Sequence, residues 1–198
     1  MYRRFFIPVL ALTVLLAGCR REAPPAPAPE PTGPSQAELD RMRADSIAQA
    51  RAEAERAAEA ERQRQEELAR QRAIAAARDI LGQRVHFDLD ESRIRPDAEQ
   101  ALRQKADILR ASPNVRLRLE GHADERGSNE YNLALGNRRA ESVLQFFTSF
   151  GLDASRFTTV SYGEERPLVN QSNESAWDQN RRVEFIVTAG QDQINPAR

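Results

Sequence analysis

The chain has 198 residues, 30% of them charged, with a formal net charge of −1 and a pI near 6.2. That balance leaves no basic field to recruit nucleic acid. Cys19 is the single cysteine, so no intrachain disulfide can form.

The N-terminus reads as an address. Arg3 and Arg4 precede an uncharged apolar run from Phe5 to Ala17. The run falls short of the about 20 apolar residues a spanning helix needs, and it has the form of a secretory signal. It ends at Leu16-Ala17-Gly18-Cys19, which resembles the lipobox of bacterial lipoproteins. The resemblance implies a signal peptide over residues 1–18, cleavage before Cys19 and acylation of that cysteine. The residues also permit a cut after a small residue that leaves a free thiol. Several acyl chains hold a bilayer firmly where one does not. By the same resemblance Arg20, standing where aspartate would retain a lipoprotein in the inner membrane, favours the outer membrane.

Residues 19–34 form a linker in which Pro24, Pro25, Pro27, Pro29, Pro31 and Pro34 are interspersed mainly with alanine. Such a stretch prefers extended polyproline geometry at about 3.1 Å per residue and serves as a semi-rigid spacer. Residues 35–79 change to alanine, arginine, glutamate and glutamine, all strong helix formers, and contain no glycine or proline. Ser35 and Glu38 have the spacing of a capping box. Glu53 with Arg56, Glu59 with Arg62, Glu61 with Arg64 and Glu66 with Arg70 are at helical spacing, each pair worth about 0.2–0.5 kcal/mol. Leu39, Met42, Ile47, Leu68 and Ile74 are too sparse for a heptad seam. The segment therefore reads as a solvated, charge-laced stalk, or as a weak alanine-based coiled coil. At ~1.5 Å per residue it reaches roughly 65–70 Å.

A globular domain is expected over residues 80–189, about 110 residues and an ordinary domain size, with a polar, frayed tail over 190–198. Residues 84–87 are β-prone and lead into the acidic loop 88–91. Pro96 suits a first helical turn, and Ala98, Leu102, Ala106 and Leu109 give the helix to Arg110 an apolar face. Ser112-Pro113-Asn114 breaks the chain. Residues 115–120 alternate strictly, the mark of a strand with one buried face. Ser128 can cap a helix whose later turns carry Ala140, Val143, Leu144 and Phe147. Residues 157–162 and 182–188 read as strands, the latter with Val183, Phe185 and Val187 on one face. Strands joined by helices make this an α/β two-layer sandwich, a mixed sheet with helices on one face.

The stretch 121–140 carries the most chemistry. Asp124 sits in a glycine-bounded turn, and Arg139 follows 15 residues later in a helix. An acid and a base held apart suit a ligand bearing both an amine and a carboxylate. On one unbroken helix from Ser128, Arg139 lies about 16 Å along the axis. A break at Gly136 is therefore expected, to bring Arg139 back toward the Asp124 loop. Two plainer roles compete: Asp124 capping its own turn, and Arg139 bridging Glu130 or Glu141 at the surface.

Val85-His86-Phe87-Asp88, Gly121-His122-Ala123-Asp124-Glu125-Arg126-Gly127-Ser128, Asn137-Arg138-Arg139-Ala140 and Asn180-Arg181-Arg182-Val183-Glu184 together resemble the OmpA-like peptidoglycan-binding domain in order and spacing. The His-Ala-Asp-Glu-Arg-Gly form, with Ser161-Tyr162-Gly163-Glu164-Glu165 downstream, is similar to the lipoprotein branch of that family. The resemblance implies a β-α-β-α-β-β core that holds the diaminopimelate of the peptidoglycan stem peptide noncovalently. In it Asp124 meets the ammonium, and the planar fork of Arg139 meets the carboxylate. It further implies that Phe87 and Asp88 line the opposite wall and that Glu125, Arg126 and Gly127 contact the ligand. Arg182 is either a ligand contact or half of a structural ion pair, and Trp177 reads as packing a last helical turn rather than stacking on sugar. Implied partners are the cell wall, the outer membrane through a lipid anchor, and TolB and other Tol or outer-membrane proteins. A generic OmpA-like envelope spacer or scaffold acting through its helix is the alternative. Leu89 departs from the family by standing where an aromatic is common.

Enzyme readings fare poorly. Only His86 and His122 are available, and no metal-ligand spacing of the His-Glu-x-x-His kind occurs. A catalytic zinc usually takes three protein ligands. No metal or cofactor is implied, and His122 reads as a strand-end residue that orients the loop.

Overall fold

The computed structural model describes residues 33–197. The expected signal peptide, Cys19 and most of the proline-rich linker lie outside the described residues. Among the described residues no helix is long and apolar enough to cross a membrane. The described residues divide into two units, with the boundary between Glu53 and Ala54.

Helix α1 (Gln36–Gly82) is 47 residues long. Its start has the expected capping box. The Ser35 backbone N–H donates to Glu38 Oε2 at 2.7 Å, and Glu38 N–H donates to Ser35 Oγ at 3.4 Å. None of its four expected Glu–Arg pairs closes to an ion pair; Glu61 accepts instead from Gln65 at 2.7 Å, and Glu67 accepts from Gln71 at 3.0 Å. Met42, Ile47 and Leu68 are exposed.

The second unit is built on a four-stranded sheet of order β1-β4-β2-β3. Its strands are β1 (Val85–His86), β2 (Arg116–His122), β3 (Phe157–Gly163) and β4 (Arg182–Ala189). β2 lies parallel to β3 and antiparallel to β4, and β1 is antiparallel to β4. Helix α2 (Pro96–Ala111) begins with Pro96 after an extended Arg95, as the sequence requires. Helix α3 (Asn129–Ser149) is capped by Ser128 Oγ, which accepts from Tyr131 N–H at 3.3 Å. A short helix α4 (Glu174–Asn180), capped by Asn173, separates β3 from β4.

The period-two pattern of β2 sends Leu117 and Leu119 into the core and Arg118 and Glu120 to the other face. Val183 and Phe185 of β4 join the core, and Arg182 and Glu184 do not. Phe147 of α3 is fully buried, stacked on Phe157 at 5.1 Å and edge-on to Phe185 at 6.2 Å. Burying such a ring contributes about 1.5–3 kcal/mol.

The core extends beyond the expected domain limits at both ends. Ala77 and Leu81 of α1 belong to it, so the helix does not end where the domain begins. Lys105 of α2 is fully buried beneath that helix end. Its ammonium donates to Leu81 O at 2.8 Å and to Ile80 O, and lies 4.2 Å from the Phe185 ring. A cation at a helix C-terminus answers carbonyls that have no intrahelical partner. At the other end the expected frayed tail is docked. Ile194 is buried in the core, and Asn195 N–H donates to Ser112 Oγ at 2.8 Å. An apolar side chain with a place in the core outweighs the polar composition around it.

Candidate functional site

α3 does not break at Gly136. It is continuous from Asn129 to Ser149, and Gly136 is buried within it. The glycine serves a close approach of helix and strand. A Cβ on Gly136 would lie 2.3 Å from Ser161 Oγ and 2.8 Å from Gly121 O. A Cβ on Gly121 would lie 1.8 Å from Gly136 O. With both side chains absent, α3 settles backbone against backbone on β2, and Ser161 Oγ donates to Leu133 O at 2.7 Å. Side chains on a helix lean toward its N-terminus. A long arginine on a helix lying that close therefore reaches the end of β2 without any kink.

Arg139 is fully buried. Nε donates to Glu91 O at 2.8 Å, Nη1 to His122 O at 2.7 Å and Nη2 to Asp88 O at 3.1 Å. The guanidinium also lies 5.4 Å from the Phe87 ring. Neither expected surface bridge forms; Glu141 instead accepts from Asn137 at 2.7 Å. Burial lowers the Arg139 pKa to about 10, partly opposed by the charge of Asp124, so the group is a cation at neutral pH. Of the five guanidinium N–H donors, these three bonds leave two.

Asp124 is 5% exposed. Its Oδ1 accepts from Arg126 N–H and Arg126 Nε, both at 3.1 Å. Its Oδ2 accepts from Arg126 Nη2 at 2.8 Å and Arg181 Nη1 at 3.2 Å. The carboxylate thus caps its own turn and is held by two arginines. Burial is the strongest single influence and pushes its pKa up, but the bonds from Arg126 and Arg181 together outweigh it and hold it below the ordinary value.

Asp124, Arg126, Gly127 and Arg139 line one cleft of about 390 Å³, with Leu89, Asp90, Tyr131, Asn132 and Leu135. The fifteen-residue separation in sequence closes to a single concave site with an acid and a base on its walls. Gly127 turns with φ +118°, a conformation that suits glycine. Phe87 is buried beneath Arg139 rather than on the cleft surface, and Asp88 contributes its carbonyl to Arg139. Glu125 points to α4, where its Oε1 accepts from Trp177 Nε1 at 3.0 Å.

Arg182 does not join this cleft. It lies on the opposite face of β4, with Nε on Glu184 Oε1 at 2.7 Å and Nη2 on Arg166 O at 3.1 Å. Its neighbour Arg181 is the residue that meets Asp124, a role missed in the sequence. Strand parity turns Arg182 away from the core, because Val183 points into it, whereas Arg181 precedes β4 as the C-cap of α4, and no local period in the sequence marks its reach to Asp124. Arg181 is further tied to Phe87 O at 3.1 Å, Glu174 Oε1 at 3.1 Å and Asp178 Oδ1 at 2.8 Å.

On the outer face Glu120, His122 and Glu184 bring possible metal-ligand atoms within 4.8 Å of one another. Neither ring nitrogen of His122 has a hydrogen-bond partner among the described residues. Arg118 holds Glu120 at 2.7 Å, and Arg84 and Arg182 hold Glu184 at 3.0 and 2.7 Å. Three guanidinium groups already neutralise two carboxylates, and that surplus of positive charge opposes a divalent cation. The imidazole of His122 stacks on Tyr162 at 5.6 Å, and it is the backbone carbonyl of His122 that serves the site.

The chain belongs to the OmpA family, whose model matches residues 86–181. The peptidoglycan-associated lipoprotein of Agrobacterium fabrum is 50% identical over 107 residues, which cover 54% of this chain and 60% of that protein. Its counterpart from Brucella melitensis is 49% identical over 107 residues, covering 54% and 64%. The match thus spans about three fifths of the length of these curated relatives. The crystal structure of the peptidoglycan-associated lipoprotein from Burkholderia pseudomallei superposes with a TM-score of 0.52 at 35% identity, over 53% of this chain and 89% of that one.

Proposed function

We propose that the cleft binds peptidoglycan noncovalently, through the diaminopimelate residue of the stem peptide, and performs no catalytic step. The observation that carries this is the pairing of Asp124 and Arg139 on one cleft wall, both buried and oppositely charged. A diaminopimelate side chain ends in an ammonium and a carboxylate on one carbon. The ammonium matches Asp124, and the carboxylate matches the two remaining guanidinium N–H groups of Arg139. Kinship with peptidoglycan-associated lipoproteins supports the same reading.

With acylation at Cys19, the chain would tether the outer membrane to the wall from the periplasmic side. Its assignment to the Tol system, with TolB as a partner and a part in cell division, belongs to this proposal. The long exposed helix α1 favours a second role as an envelope spacer.

The test is co-sedimentation of the full chain, in detergent, with purified diaminopimelate-type sacculi, wild type beside Asp124→Asn and Arg139→Lys. Retention of wild type with loss of both variants, all three folded by circular dichroism, is the expected result. Equal retention of all three moves the site elsewhere, and no retention of wild type removes the wall-binding reading.

A further inference from the structure

Every acceptor position of Asp124 is already taken by the protein. A carboxylate offers about four lone-pair sites. Four N–H groups fill them, three from Arg126 and one from Arg181. An incoming ammonium therefore finds no free acceptor and has to replace one of these donors.

The two arginines differ in how firmly they are held. Arg181 has a side chain only 6% exposed, tied at once to Phe87 O, Glu174, Asp178 and Asp124. Moving it would strip a buried cation of several partners, which is costly. The Arg126 side chain is 32% exposed, and Asp124 is only one of its anchors. Its Nη1 lies 3.3 Å from Glu174 Oε2, and its guanidinium carbon lies 4.1 Å from the Trp177 ring. These two contacts lie on the α4 side of the loop and do not involve Asp124. Arg126 can release the carboxylate without becoming an unpaired charge.

We propose that Arg126 is the resident cation of the Asp124 subsite, and that a ligand ammonium binds by exchanging with its guanidinium, which stays on Glu174 and Trp177. The proposal rests on the diaminopimelate reading of the cleft and deepens it. Arg126 then sets selectivity. A ligand without a cation cannot displace it, so the subsite stays closed to plain carboxylates and sugars. A cationic ligand binds with net charge at Asp124 unchanged, because one cation replaces another. Glu174, remote from the ligand, acts as a positioning residue by holding the displaced arginine.

The exchange makes a prediction of sign. Removing a direct ligand contact weakens binding; removing a competitor strengthens it. The experiment is calorimetric titration of the full chain, in detergent, with the soluble tripeptide L-Ala–D-Glu–meso-diaminopimelate. The comparison peptide carries pimelate in place of diaminopimelate and so lacks the side-chain amine. Arg126→Gln is expected to bind the amine-bearing tripeptide about tenfold more tightly than wild type, the scale of one charge-assisted pair. It should show no gain for the pimelate peptide. Glu174→Gln is expected to weaken amine binding in the wild-type background and to have no effect once Arg126 is glutamine. Equal or weaker tripeptide binding by Arg126→Gln, with wild type binding, overturns the exchange while leaving the diaminopimelate reading intact. A gain of the same size for both peptides also overturns it, because a loosened loop rather than a vacated cation position would then be responsible. Absence of tripeptide binding by both wild type and Arg126→Gln overturns the exchange together with the diaminopimelate reading.

Discussion

Replacing Arg139 by lysine keeps the charge and removes the fork. In the native protein three different nitrogens reach three carbonyls, those of Asp88, Glu91 and His122, from one buried planar group. A lysine carries its three N–H donors on one nitrogen, which cannot stand at all three of the positions the guanidinium nitrogens occupy. At least two of the three carbonyls lose their donor. Leaving a buried polar group unsatisfied costs about 1–3 kcal/mol, and the retained cation is held by fewer bonds. The sum is roughly 3–5 kcal/mol, a large share of the about 5–15 kcal/mol that holds a domain folded. At roughly 3 °C per kcal/mol for a domain of this size, Tm should fall by about 10–15 °C. Thermal and urea unfolding followed by circular dichroism provide the assay, with the midpoint falling and the urea slope unchanged. A variant within about 1 kcal/mol of wild type would refute the claim that these bonds tie the 88–91 loop to the end of β2.

Gly136→Ala should push α3 off β2, because its Cβ would meet Ser161 Oγ at 2.3 Å and Gly121 O at 2.8 Å. Overpacking of this kind costs about 1–3 kcal/mol, read as a lowered urea midpoint; a neutral result would show that the helix tolerates a wider spacing. His122 makes a prediction in pH. Burial, reinforced by Arg182, lowers its pKa from 6.5 to about 4, so between those values the unfolded chain binds more protons than the folded one. Stability is therefore lost as pH falls from 6.5 toward about 4, and His122→Phe should remove that part of the slope. Urea midpoints for both proteins at pH 7, 5.5 and 4 measure it, and parallel curves would count against a buried neutral imidazole.

Much of the fold was legible because it follows from local periodicity. The alternation Leu117-Arg118-Leu119-Glu120 specifies which face of β2 is buried, and the parity of Val183 does the same for β4. Pro96 and Ser128 mark helix starts because their chemistry is satisfied there and almost nowhere else in a helix. The pairing of Asp124 with Arg139 was readable as charge chemistry before any geometry was known. Less legible was the part that depends on how elements stack. Gly136 looked like a helix breaker, since within one helix that is what a glycine does. Arg181 and Arg182 are chemically identical neighbours, but the first is the C-cap of α4 and the second begins β4, a boundary their chemistry does not mark. Ile194 sits in a polar tail, and nothing local shows that a core position awaits it.

The amino-acid order alone determined the strand and helix periods, the caps and the presence of an acid and a base suited to a zwitterion. Those are properties of residues a few positions apart, and the chain carries them into any environment. Only the tertiary structure decided that α3 lies close enough to β2 for Arg139 to reach three carbonyls. It alone assigned Arg181 rather than Arg182 to Asp124, and filled that carboxylate with the protein's own arginines. These are contacts between residues up to 57 positions apart. Their distances are set by which surfaces meet when the core closes, not by any period within a segment.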